Sequence, residues 1–247
     1  MKVLGIIPAR YGSTRFPGKP LAMIGEKPMI QRTWEQVMKS SLDAVVVATD
    51  DSRIYDAVQA FGGQAVMTRA DHRSGTDRCL EALDKVAGDY DAVVNIQGDE
   101  PFINPLEINQ VAELIRRGDI ALATLAKRIT DPQRLHNPNT VKVVFDQDGN
   151  ALYFSRHPLP YVRGAEISHW MEKTDYYQHI GIYAYKSDTL RAIAKMSPSR
   201  LEQAESLEQL RWLENGLRIR VAVTDCGDSI AIDTPQDLLN IPQELLR

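Results

Sequence analysis

Three cations, Arg10, Arg15 and Lys19, fall within ten residues of the segment ARYGSTRFPGKP, interleaved with Gly12, Ser13 and Gly18. Closely spaced cations on a flexible backbone suit a chain of phosphates. Guanidinium and ammonium groups neutralise charge while the N–H groups of a turn add donors. Two acidic turns offer complementary chemistry: Gln97-Gly98-Asp99-Glu100-Pro101, and Asp233 just ahead of Thr234-Pro235. Mg2+ takes one or two protein carboxylates and fills its shell with phosphate oxygens and water, so Asp99, and after it Asp233, are ligand candidates. Each feature also has a plainer reading. The basic segment could be a solvated surface turn, and Asp233 could be a helix N-cap.

The elements that must position these residues follow from periodicity. Short β-branched runs at 3–8, 43–48, 64–68 and 91–96 are too apolar for half-exposed strands. Stretches with apolar residues at three- and four-residue intervals, 28–40, 51–61 and 74–86, alternate with them, and Pro28, Asp51 and Ser74 are plausible starts. Gly62-Gly63 stops the second of these helices. The pattern predicts an α/β fold with a mostly parallel, Rossmann-like sheet and helices on both faces. Ligands of such sheets bind beyond the carboxyl ends of the strands, where both the basic loop and Asp99 must emerge. Neither the Walker A pattern nor Gly-x-Gly-x-x-Gly occurs, so those two nucleotide sites are unsupported.

From about 120 to 186 the pattern turns to strands and turns, which predicts a β-rich excursion within one domain spanning 1–247. It includes a hairpin at Asp148-Gly149 between 141–145 and 151–154. Residues 162–176 are polar and weakly patterned and read as a mobile loop or short helix rather than core. Helix is expected again at 187–195 and 204–214, then a strand at 219–223 and a last helix from Pro235.

The chain has 247 residues, 43% hydrophobic and 25% charged, with a formal net charge of −4. That charge gives no field attracting nucleic acid or an anionic membrane, so small-molecule partners are expected. No segment approaches the ~18 uninterrupted apolar residues of a membrane span, and the amino terminus lacks a long apolar leader, so a cytoplasmic location is expected. Cys79 and Cys226, far apart in sequence, give neither a metal-ligand spacing nor a disulfide framework and read as two buried thiols.

Taken together, IIPARYGSTRFPGKP, VATDD, MTRADHRSGTDR, VVNIQGDEP, HNPNTVKVV, ALYFSR, HIGIYAY, ESLEQLRWLENG and IDTPQDL resemble, in order and nearly end to end, the 3-deoxy-manno-octulosonate (Kdo) cytidylyltransferases, or CMP-Kdo synthetases. The first motif is shared with nucleotidyltransferases for other sugars; SGTDR, HIGIYAY and SLEQLR discriminate. The resemblance implies transfer of CMP from CTP to the anomeric 2-hydroxyl of Kdo, with pyrophosphate released and Kdo activated for lipopolysaccharide biosynthesis. It implies a phosphate site of Pro8, Ala9, Arg10, Ser13, Arg15 and Lys19. Arg15, Lys19, Asp99 and Asp233 would be the catalytic group, and Asp99 with Asp233 would hold Mg2+. Arg78, Gln97, Arg156, His179, Tyr183, Glu208 and Gln209 would line the sugar pocket, and a homodimer would be built on the β-rich excursion.

Arginines for a carboxylate, and amide, imidazole, phenol and carboxyl groups for hydroxyls, form a sensible set for a sugar acid. Taken singly, each has a bland alternative. Arg78 could be a surface helix residue, Glu208 and Arg211 could pair along a helix, and His179 and Tyr183 could pack within an apolar strand. Departures from the family pattern fall at 162–176 and near Asp71–Arg73, outside the phosphate and metal motifs, and bear on fine substrate choice. The rivals are a cytidylyltransferase for sialic acid or C8-modified Kdo, a sugar 1-phosphate enzyme, and a non-catalytic nucleotide sensor. A sugar 1-phosphate enzyme would want a second cationic cluster, which the sequence does not show beyond the arginines already assigned.

Overall fold

The computed structural model describes residues 1–12, 16–227 and 230–246. The four expected strands of the first half form as β1 (Val3–Ala9), β2 (Ala44–Thr49), β3 (Ala65–Met67) and β4 (Ala92–Asn95). Between them lie α1 (Met29–Val37), α2 (Ser52–Ala60) and α3 (Gly75–Lys85). The predicted starts are caps: the Asp51 carboxylate accepts from the Arg53 N–H, the Ser74 hydroxyl accepts from the Asp77 N–H, and Pro28 occupies the cap of α1. Each capped donor would otherwise lack a partner at the helix start.

The second half adds α4 (Pro105–Arg116), β5 (Leu122–Arg128), α5 (Pro132–His136) and the hairpin β6 (Lys142–Phe145) and β7 (Ala151–Ser155). It continues with α6 (Trp170–Lys173), β8 (Tyr177–Lys186), α7 (Ser187–Ile193), α8 (Arg200–Glu205), α9 (Glu208–Glu214) and β9 (Arg220–Val223). The main sheet runs in the order β9-β5-β8-β4-β1-β2-β3, with the β6–β7 hairpin attached to β8. Along that order β8 is antiparallel to both β4 and β5, while the other neighbouring pairs are parallel.

Alternation along β1 separates the two faces. Val3 and Ile7 join α1, α2 and α4 in one buried cluster, and Leu4 and Ile6 join α3, α7 and α9 in the other. Helices therefore cover both faces, as the continuous apolar strands require.

Several expectations are corrected. The 120–186 segment begins and ends in interior strands of the sheet, β5 and β8, and the β6–β7 hairpin between them joins the same sheet through β8. Within 162–176 the expected short helix forms as α6, but the segment is not excluded from core. Trp170 and Tyr176 are buried with Ile129 and Leu135 in a small core of their own, and Trp170 Nε1 donates to Ala165 O. Aromatic rings spaced by polar residues hid this core from a periodicity argument.

The single helix expected at 204–214 is two helices, α8 and α9, broken at Ser206, whose φ of 51° lies in the left-handed region. The last helix does begin at Pro235 and is of 3-10 type (Pro235–Asn240). Cys79 is buried, whereas Cys226 is only half-buried.

Candidate active site

At the carboxyl ends of β1 and β4 lies a cavity of about 400 Å³. Pro8, Ala9 and Arg10 come from the end of β1, and Lys19 and Pro20 from the far side of the basic loop. His72, Arg73, Ser74, Gly75 and Arg78 come from the entry to α3, and Gln97, Gly98 and Asp99 from the turn after β4; Asp233 closes the wall. The basic loop is shut at its base by Gly18 N–H donating to Tyr11 O at 3.0 Å, with Gly18 at a φ of 71°. Ser13 and Arg15, expected on the phosphates, lie outside the described residues.

Lys19 Nζ lies 2.7 Å from Asp99 Oδ2 and 3.3 Å from Asp233 Oδ1. Carboxylates separated by most of the chain therefore close on one cation. Gly98 makes the approach possible, since a Cβ there would lie 2.8 Å from Pro8 O. The carboxy-terminal segment is brought in by a satellite core of Ile24, Met29, Ile232 and Ile241, and Ile232 N–H donates to Asp99 O at 3.0 Å.

Arg32 secures the same segment, donating to Ile24 O at 2.7 Å, Leu245 O at 2.6 Å and Leu246 O at 2.7 Å. The plain N-cap reading of Asp233 fails. The cap is Thr234, with Asp237 completing its capping box, and the Asp233 side chain faces Lys19.

The expected sugar residues divide into three groups. Arg78 and Gln97 line the cavity. Arg78 is buried, not a surface helix residue: its guanidinium donates to Thr68 Oγ1 at 2.5 Å, Arg69 O at 3.2 Å and Asp50 Oδ2 at 3.1 Å. Gln97 Nε2 reaches Gly181 O of β8 at 3.5 Å, linking the cavity to the second group, His179, Tyr183, Glu208 and Gln209.

Within that group the His179 and Tyr183 rings are 5.3 Å apart, and Glu208 Oε2 accepts from Thr76 Oγ1 at 2.9 Å, one residue past the cavity-lining Gly75. Gln209 is buried beside them at the start of α9. Burial raises the Glu208 carboxyl above its ordinary range, partly offset by the Thr76 and Ser74 hydroxyls, and pushes the His179 imidazole down to about 3. Glu208 Oε1 and the Tyr183 hydroxyl are buried without a hydrogen-bond partner. Orphaned polar atoms are costly in a finished core, so these two are open to a bound water or a ligand. Glu208 does not form the intrahelical ion pair with Arg211; Arg211 pairs instead with Glu202.

Arg156 is the third group. It does not line the cavity, and its guanidinium donates to Glu205 O, Pro138 O and Ser206 O.

Several cavity residues were missed from sequence. His72 and Arg73 stand in the wall beside Lys19 and Asp99, so the departure near Asp71–Arg73 does touch the phosphate and metal motifs. Arg73 also adds a cation outside the assigned arginines. Asp50 receives both Arg78 and, at 3.4 Å, the Tyr11 N–H of the basic loop. The available signals were the VATDD run at the end of β2 and a basic pair immediately before the Ser74 cap.

A basic loop facing two carboxylate turns, all beyond the strand ends of an open α/β sheet, defines a nucleotidyltransferase. A profile of the cytidylyltransferases matches residues 4–219. The chain is 53% identical over 242 residues to a 3-deoxy-manno-octulosonate cytidylyltransferase of Parabacteroides distasonis and 55% identical over 241 residues to that of Bacteroides thetaiotaomicron, covering 96% of both chains in each case. It superposes with a TM-score of 0.89, at 44% identity over 97% of this chain and 96% of the other, on a CMP:2-keto-3-deoxy-manno-octonic acid synthetase solved with CTP. The chain belongs to the 3-deoxy-manno-octulosonate cytidylyltransferase family. No helix among the described residues is long and apolar enough to cross a membrane.

Proposed function

We propose that the cavity carries out transfer of CMP from CTP to the anomeric 2-hydroxyl of Kdo, with the triphosphate on the basic loop and the sugar acid along β8. The observation that carries this reading is the meeting of Lys19 with Asp99 and Asp233 at the mouth of the basic loop. The hydroxyl oxygen attacks the α-phosphorus in line, the bond to the β-phosphate oxygen breaks, pyrophosphate leaves and the hydroxyl proton passes to solvent. Catalysis of this kind is placement and electrostatics. Arg10 and Lys19 balance charge on the phosphates, and Arg78, fixed by Asp50 and Thr68, meets the sugar-acid carboxylate with Gln97 beside it.

The donor set fits Mg2+: two carboxylates from separate turns converge on one cation beyond the strand ends, the one or two protein oxygens that such an ion takes beside phosphate and water. Asp99 and Asp233 would hold it, and when bound it supplies Lewis-acid stabilisation of the reacting phosphate. Homodimerisation is proposed through the excursion between β5 and β8, where Leu152, Tyr161 and Ile167 are exposed at 62%, 74% and 50%. Light scattering of the wild-type chain and of the double variant Leu152→Glu, Tyr161→Glu tests this. A wild-type monomer, or a variant that stays dimeric, refutes it.

Pyrophosphate release is the test of the whole reading. Release that requires both CTP and Kdo supports it. Release with N-acetylneuraminate, a C8-modified Kdo or UTP in place of these would overturn the sugar or base assignment. No release from folded, CTP-binding protein would favour the nucleotide sensor.

A further inference from the structure

Strand β8 is irregular where it passes β5. Ile180 pairs with Leu125 and Tyr183 pairs with Thr124, so Gly181 and Ile182 bulge out of the ladder. A bulge leaves backbone carbonyls without ladder partners, and inside a protein these must be satisfied. Thr124, fully buried on β5, lies opposite. Its Oγ1 is 2.7 Å from Ile182 O, 3.1 Å from Ile180 O and 3.0 Å from Nε2 of His179.

A hydroxyl has one proton to give and lone pairs to accept with. Two neighbours of Oγ1 are carbonyl oxygens, which cannot donate, so the proton is committed to them, and to Ile182 O at the shorter distance. The contact with His179 can then be a hydrogen bond only if Nε2 carries the hydrogen and Thr124 accepts. A neutral imidazole protonated at Nε2 has a bare acceptor at Nδ1. Burial keeps the ring neutral, and Phe154, edge-on at 5.1 Å, and Tyr183, at 5.3 Å, fix its plane.

We propose that Thr124 is a positioning residue which, anchored by the bulge of β8, holds His179 as the Nε2–H tautomer so that Nδ1 is a fixed acceptor for a sugar-acid hydroxyl. The second half rests on the placement of the sugar acid along β8. A hydroxyl at Nδ1 must then donate, so a substrate whose corresponding oxygen is methylated or replaced by hydrogen loses that bond. Tyr183 and Glu208 remain able to bind other hydroxyls. Gln97, through Gly181 O, rests on the same bulge, so the bulge sets two pocket residues at once.

The tautomer is read directly by nitrogen NMR of protein labelled with 15N-histidine. The chain has five histidines, and His179→Asn identifies the signal. The expected spectrum of the wild type shows a protonated Nε2 and an unprotonated Nδ1, retained in Thr124→Ser and lost or mixed in Thr124→Val. Kinetically, Thr124→Val should raise KM for Kdo roughly tenfold with KM for CTP unchanged, and Thr124→Ser should restore it. A wild-type Nδ1–H tautomer overturns the proposal without need of any variant. So does a folded Thr124→Val enzyme with the wild-type tautomer and KM. If His179→Ala leaves KM for Kdo unchanged, the placement of the sugar acid at His179 is wrong and the acceptor role falls with it, whatever the spectra show of Thr124.

Discussion

Removal of Arg32 should open the active site from behind. Arg32 touches neither the cavity nor its loops, yet its three hydrogen bonds to Ile24 O, Leu245 O and Leu246 O tie the carboxy-terminal segment to the start of α1. A bond from a charged donor to a carbonyl contributes about 1.5–3 kcal/mol when buried. Three bonds sharing one partly solvated guanidinium are non-additive, and a loss of about 2–4 kcal/mol is expected for Arg32→Ala. That raises the local opening equilibrium of the segment by about 30- to 700-fold. The apolar contacts of Ile232 and Ile241 remain, so the sheet should not unfold.

The reporter is the Ile232 amide, which donates to Asp99 O. Its hydrogen exchange should accelerate by the same factor, while amides of β1 and β4 keep their protection. Asp233 would leave Lys19 in the open state, so the Mg2+ concentration for half-maximal turnover should rise. Arg32→Lys should not rescue, because an ammonium cannot span three divergent carbonyls as the planar fork does. Wild-type exchange at Ile232 in a folded Arg32→Ala protein would refute the reasoning, as would exchange that accelerates uniformly over the whole sheet.

Asp99→Asn should reduce turnover by roughly 100-fold or more with the fold intact, since an amide cannot replace the charge a divalent cation requires; turnover within a few-fold of wild type at saturating Mg2+ would remove Asp99 from that role. Glu208→Gln should stabilise the protein at neutral pH while weakening Kdo binding. Burial raises the carboxyl in the fold, so its ionisation costs stability once pH exceeds the unfolded value, and wild-type and variant melting temperatures should converge in acid. A variant less stable than wild type at neutral pH would contradict this. Glu81 has the opposite sign: desolvation pushes its carboxyl up, but Lys85, the Arg69 N–H and His72 outweigh this and bring it to about 2. Its contribution is therefore complete above the ordinary value of 4.5 and fades as pH falls toward about 2, a dependence that Glu81→Gln should flatten in acid melting curves.

What the sequence disclosed and what it hid divide along contact range. Strands β1 to β4 and their helices were legible because apolar periodicity and caps such as Asp51 and Ser74 act over a few residues. Asp99 was legible because a carboxylate after a buried strand must emerge at the strand end. His72, Arg73 and Asp50 were not, since their placement depends on which loops neighbour one another across the sheet. The break at Ser206 was hidden because a non-glycine residue there gives no warning of a left-handed turn. Arg156 is a sugar ligand by motif alone; in the fold it lies outside the cavity, with three of its five N–H donors on backbone carbonyls.

The same distinction explains why the two carboxylates are unequal. Asp99 is placed by its own strand and by a glycine that lets the turn pass close under Pro8, which makes it part of the rigid sheet edge. Asp233 is placed by a tail that crosses back over the start of the chain, held by four buried apolar side chains and one arginine. Opening of that tail needs no strand to separate, so its free energy lies below that of global unfolding. A site divided in this way can exchange its second carboxylate while keeping its first. Changes around Ile24, Met29 or Arg32 should therefore move metal dependence before they move global stability, whereas changes around Gly98 should move both together.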